Sequence, residues 1–87
     1  MTSPYRVTLA KSAEKEVLAL GDPLVRRIFA RIESLASAPR PPGCKKLEGR
    51  TGAWRIRVGE YRVIYTIDDG KRVVDVSAVR HRRDAYR

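Results

Sequence analysis

Trp54-Arg55-Ile56-Arg57-Val58-Gly59-Glu60-Tyr61-Arg62-Val63-Ile64-Tyr65-Thr66-Ile67 is the stretch that decides the fold of this chain. Trp54, Ile56 and Val58 alternate with arginines, Gly59-Glu60 has the chemistry of a two-residue type II′ turn, and Tyr61, Val63 and Tyr65 resume the alternation. The pattern predicts a β-hairpin with one apolar face and one basic face. A two-residue turn also fixes the register: Val58 faces Tyr61, Arg57 faces Arg62, Ile56 faces Val63, Arg55 faces Ile64 and Trp54 faces Tyr65. Arg57 opposite Arg62 is unfavourable unless an anion lies between them. Two side chains splayed into screened water would lower that cost, but Arg55 shares the face and a cationic cluster from Arg80 to Arg87 follows. An anion site is therefore the favoured reading.

Downstream, Asp69-Gly70 suits a type I′ turn into a strand from Arg72 to Val79. That turn would pair Arg62 with Ser77 and put Asp75, Ser77, Val79 and His81 on the arginine face. Upstream, Tyr5, Val7 and Leu9 alternate in a short first strand. Ala13, Val17 and Leu20 then recur at helical spacing from Lys11 to Leu20, with Gly21 as a stop. Asp22 as N-cap and Pro23 as first helical residue restart a second helix to Ser37, its apolar stripe made by Val25, Ile28, Phe29, Ile32, Leu35 and Ala36. Pro39-Arg40-Pro41-Pro42-Gly43 then opens a basic loop through Lys45 and Lys46 to Gly52. The expected architecture is α+β in the order β-α-α-β-β-β, an antiparallel sheet packed against an N-terminal αα-hairpin, in a single domain over 1–87.

Charge is concentrated in the second half. Residues 40–87 hold thirteen Lys and Arg against six Asp and Glu, and residues 1–39 hold six against four, so most of the formal +9 lies C-terminal. Such a surface releases counterions on meeting phosphates, which makes a nucleic acid the first candidate partner and an acidic protein the second. The lone Cys44 cannot form an internal disulfide, and one Cys with one His falls short of a usual transition-metal site, so neither metal nor cofactor is expected. No apolar run approaches the ~20 residues of a membrane span, and the N-terminus lacks a signal-peptide pattern, so a cytoplasmic protein is expected.

The string from Trp54 to Tyr65, followed by His81-Arg82-Arg83-Asp84-Ala85-Tyr86-Arg87, closely resembles the RelE branch of the RelE/ParE toxin superfamily. The likeness extends to Lys45-Lys46-Leu47-Glu48-Gly49, to the two helices and to the domain length. It implies a type II toxin–antitoxin component that cleaves mRNA in the ribosomal A site without a metal and is silenced by a cognate acidic, RelB-like antitoxin. Carried onto this chain, the family's functional positions are Arg55, Arg57, Arg62, Arg82 and Tyr86, with His81 adjacent. Where well-known relatives have lysines on the second strand, this chain has Arg55 and Arg57.

In metal-free RNA cleavage the ribose 2′-OH attacks the adjacent phosphate, leaving a 2′,3′-cyclic phosphate and a free 5′-OH. A base must accept the hydroxyl proton, an acid can protonate the leaving 5′ oxygen, and cations must hold the developing charge. Arginine, with a pKa above about 12, is a poor base. Arg57, Arg62 and Arg82 are thus assigned to the phosphate, and His81 or Tyr86 to the proton. Lys45, Lys46, Arg55 and Arg83 are further RNA-contact candidates. Strand parity favours Arg83 over Arg82 on the active face unless the strand bends after His81. The alternatives are a ParE-like inhibitor of DNA gyrase that performs no chemistry, and an inactive relative with only antitoxin-binding and regulatory roles.

Overall fold

The computed structural model describes residues 4–83. Strand β1 (Arg6–Leu9) leads into helices α1 (Lys11–Leu18) and α2 (Leu24–Ser34), and strands β2 (Lys45–Lys46), β3 (Ala53–Val58), β4 (Tyr61–Asp68) and β5 (Val73–His81) follow. The spatial order is β1-β5-β4-β3-β2. From β2 to β5 the sheet is an antiparallel meander, and β1 adds to the free edge of β5 in parallel. The expected all-antiparallel sheet is therefore mixed at one edge. The helices cross the sheet before the meander begins, and the meander then returns to β1, whose start is tied to the end of α2 by the Tyr5 N–H donating to the Ala36 carbonyl at 2.7 Å.

Apolar periodicity explains the packing. Ala13 and Val17 of α1 and Ile28, Ile32 and Leu35 from α2 and its last turn are buried against Ile56, Val58, Val63, Tyr65, Val74, Val76 and Val79. Tyr65 is wholly buried, and its hydroxyl donates to the Pro39 carbonyl at 2.8 Å. Burial pushes that phenol up to about 12, and the bond anchors the Pro-rich segment to the core.

Both helices are shorter than the sequence suggests. α1 stops at Leu18, and the chain turns through Leu20 into Gly21, which has a φ of 76°. Asp22 does not cap α2; its carboxylate lies 3.9 Å from Arg26 and no side-chain cap bond forms at Pro23. After Ser34 the Leu35, Ala36 and Ser37 amides bond three residues back, tightening the exit into a narrower turn.

Two departures decide the site. Lys45 and Lys46, expected in a loop, form a two-residue edge strand opposite Arg55 and Trp54. Lysines on an edge strand also discourage further strand pairing. At the other side of the hairpin, the turn between β4 and β5 is not a two-residue Asp69-Gly70 turn but spans Asp69 to Arg72. Asp68 Oδ1 accepts the Lys71 N–H at 2.9 Å, and Arg72 takes a left-handed φ of 54°. A bulge at Ser77 follows, between the pairs Tyr65 with Val76 and Ile64 with Ala78.

Candidate functional site

The β3–β4 register is the one the Gly59-Glu60 turn dictates, with Arg57 opposite Arg62. On β5 the longer turn and the bulge move the pairing by three residues, so Arg62 faces Arg80 instead of Ser77. Three guanidinium-bearing residues, Arg57, Arg62 and Arg80, therefore stand directly opposite one another across three adjacent strands. In the next rank Lys45 faces Arg55, and Ile64 and Ala78 complete an apolar floor beside them. Arg62, at 6 % exposure, is the buried centre of the row, with Arg57 and Arg80 exposed on either side.

The sequence marks Arg80 only as the start of the C-terminal cationic cluster and not as a site residue, because its place depends on the bulge. Its Nε lies 3.0 Å from Glu16 Oε2, and the other oxygen of Glu16 accepts the Val79 N–H at 3.2 Å. α1 thereby covers part of the β5 edge that lies beyond β1 and holds Arg80 through its Nε. Asp75 does lie on the arginine face, but its carboxylate accepts a 2.7 Å bond from the Thr8 hydroxyl at the opposite end of the sheet.

The same shift corrects the expectation for Val79 and His81. Val79 faces Val63 and is buried in the core, and His81 faces Tyr61 on that side of the sheet, away from the arginines. The His81 and Tyr61 rings meet edge to face with centroids 5.2 Å apart. Nδ1 of His81 accepts the Arg83 N–H at 3.2 Å, while Nε2 lies 3.2 Å from Glu60 Oε2. Neutral imidazole with its proton on Nε2 satisfies both contacts. Both ring nitrogens are thus engaged, and the ring lacks the position and the free lone pair that a base acting on the arginine face would need.

The bulge changes the parity of β5 as it approaches His81. The Arg82 N–H donates to the Glu60 carbonyl at 2.8 Å, so ladder bonding continues past His81. Counted from Arg62's partner Arg80, a period of two would favour Arg82 over Arg83 for the arginine face, but β5 itself ends at His81. Lys45 shares the side of Arg55, whereas Lys46 pairs with Trp54 and belongs to the opposite side, beside a hollow formed by Leu47, Glu48, Gly49, Arg50 and Thr51. Arg83 is fixed through its amide to His81. Tyr86 lies outside the described residues.

A model of the ParE toxin of type II toxin–antitoxin systems, parDE, matches residues 7–86. The chain is 26% identical over 86 residues to a Methanocaldococcus jannaschii protein designated toxin RelE1, covering 95% of this chain and 96% of that one. Among solved structures, it is similar to the archaeal RelE–RelB complex from Pyrococcus horikoshii (TM-score 0.81, 30% identity, 91% of this chain and 96% of that chain). It is also similar to the Mycobacterium tuberculosis toxin–antitoxin complex RelBE2 (TM-score 0.78, 27% identity, 90% and 98%) and to the intact Escherichia coli RelBE complex (TM-score 0.74, 27% identity, 86% and 93%).

Proposed function

The chain belongs to the ParE toxin family within the RelE/ParE superfamily and is a type II toxin–antitoxin toxin; from that premise we propose that it is a metal-independent endoribonuclease that cleaves mRNA in the ribosomal A site. The observation that carries the proposal is the row Arg57, Arg62 and Arg80, three cations set opposite one another across three adjacent strands, of which the outermost, Arg80, is paired with Glu16. A phosphodiester is an anion that suits such a row, and its charge grows as the 2′-OH adds to phosphorus. Arg62, buried and hence pre-oriented, is assigned to the non-bridging oxygens, with Arg57, Arg80 and Arg82 sharing the developing charge. Arg55 and Lys45 hold the neighbouring part of the strand.

Proton transfer is assigned to Tyr86 by its family position, since both nitrogens of His81 are occupied on the other side of the sheet. As phenolate, a tyrosine can accept the 2′-OH proton. His81 and Glu60 instead direct the backbone that carries Arg82 and Arg83.

In the relatives, RelE is found bound to RelB. For this chain we assign an acidic, amphipathic antitoxin that neutralises the basic face and covers apolar surface such as Leu18, which is 58% exposed. Mapping transcript 5′ ends after brief induction tests the activity. Expected are new ends at A-site positions in translated messages, absent with Arg62→Ala. The ParE family match favours one second reading, gyrase inhibition without chemistry. Loss of DNA supercoiling by gyrase, with transcripts intact, would establish that reading in place of the first.

A further inference from the structure

Beside the arginine row, at the outer edge of β3, lies a cleft of about 320 Å³ whose lining includes Arg31, Pro42, Gly43, Lys45, Arg55 and Arg57. Four of these are cations, and no carboxylate lines the cleft. Among the described residues none of the four takes part in an ion pair. Nη1 of Arg55 is buried without a hydrogen-bond partner. A buried guanidinium N–H with nothing to donate to is costly, and Lys45 directly opposite Arg55 adds a second like-charge pair.

Arg31 comes from a different element. It lies in the last turn of α2, where the helix dipole favours a cation. That preference accounts for a positive charge at this turn but not for its convergence with Lys45, Arg55 and Arg57. Gly43, with a φ of 90°, turns the chain so that Pro42 and Lys45 close the far wall. Because Arg57 belongs both to the row and to the cleft, a nucleic-acid strand lying over Arg57 would carry its next charge into this space.

We propose that the cleft formed by Arg31, Lys45, Arg55 and Arg57 is a second phosphate subsite, which holds a backbone phosphate flanking the one on the Arg57, Arg62 and Arg80 row. The inference rests on the ribonuclease reading and extends it: the chain grips its RNA at two successive phosphates, and Arg31 acts in binding rather than at the reacting atoms. Concavity and forked donors fit tetrahedral phosphate oxygens, whereas the carboxylates of an acidic helix would be spread over a broader, flatter face.

The test uses the full chain and three ribonucleotide dimers, unphosphorylated, 5′-phosphorylated and 3′-phosphorylated, each 2′-O-methylated to block cleavage, so that only a terminal phosphate supplies the second of two successive phosphates. Affinities are read together with the side-chain ¹⁵N resonances of Arg31 and Arg55. The expected result is that one terminal phosphate tightens binding about tenfold and moves both resonances. In Arg31→Gln that gain falls below about threefold, and Arg31→Lys restores part of it. An undiminished gain in Arg31→Gln overturns the proposal, as do static Arg31 and Arg55 resonances, or resonances that respond to an acidic peptide and not to phosphate. The two readings fail separately. A chain that never cleaves mRNA but loses the phosphate gain in Arg31→Gln keeps the subsite without the nuclease, and the converse keeps the nuclease without the subsite.

Discussion

Arg62 is the residue on which the chemistry turns. A cation this buried is tolerated because arginine spreads its charge over a planar, weakly hydrated group and has several N–H vectors to satisfy. Its exposed neighbour Arg57 stands in a different balance. Opposed like charges across a strand pair cost a few tenths to about 1 kcal/mol, so Arg57→Gln should leave the free protein equally or more stable by about that amount in urea unfolding. The same change should slow mRNA cleavage at least tenfold, a loss of function with a gain in stability that a merely structural arginine would not produce. His81 gives the second prediction at this scale. If its ring positions the backbone before Arg83 rather than moving the substrate proton, His81→Gln lowers the cleavage rate but leaves the shape of the pH–rate profile unchanged. Disappearance of a limb of the profile in that variant would restore the imidazole to proton transfer.

Among the elements, the β4–β5 connection contributes most to the site. Two additional turn residues and one bulge residue exchange the two sides of β5 past Ser77, sending Val79 into the core and Arg80 to the arginines. The β3–β4 register was legible because Gly59-Glu60 admits few hairpin geometries and both flanking strands alternate cleanly. The β4–β5 register was not. Asp69-Gly70 is a strong turn signal, but the Asp68 carboxylate captures the Lys71 amide and extends the loop to Arg72, whose left-handed backbone no sequence rule assigns to arginine. Ser77 looks like one more outward polar residue, so nothing in the alternation announces a bulge there. Hence alternation alone puts His81 on the wrong side and leaves Arg80 outside the site. The turn also has a measurable electrostatic role. Asp69 accepts hydrogen bonds from both guanidinium nitrogens of Arg40 and from the Tyr5 hydroxyl, at 3.2, 2.8 and 2.6 Å, and these hold its carboxyl down to about 2. A carboxyl depressed from an unfolded value near about 3.9 stabilises the fold fully above that value and loses the contribution as pH falls toward 2. The stability difference between the wild type and Asp69→Asn should therefore be constant above about pH 5 and shrink between about pH 4 and 2. A difference that does not vary with pH in unfolding titrations would remove the coupling.

For the whole molecule, the N-terminal helices, the apolar side of the sheet and the basic half of the chain were all readable from periodicity and charge, while the parallel seat of β1 was not, because alternation carries no information on strand direction. The assembled protein places its strongest like-charge opposition on the side of the sheet away from the packed core, so its partners should be felt first through electrostatics. Association with single-stranded RNA should weaken linearly in log affinity against log salt, with a slope of roughly −0.7 per phosphate engaged. Arg57→Gln should reduce that slope, and an unchanged slope would mean that Arg57 meets no phosphate. The mechanism requires Arg57, Arg62 and Arg80 to form one phosphate-gripping row. Its most direct test is single-turnover cleavage of ribosome-bound mRNA by Arg62→Ala and Arg80→Ala, each checked for native fold by its amide spectrum. A loss of about 100-fold or more is expected for Arg62→Ala and a clear but smaller loss for Arg80→Ala. Wild-type cleavage by a folded Arg62→Ala protein would contradict the mechanism.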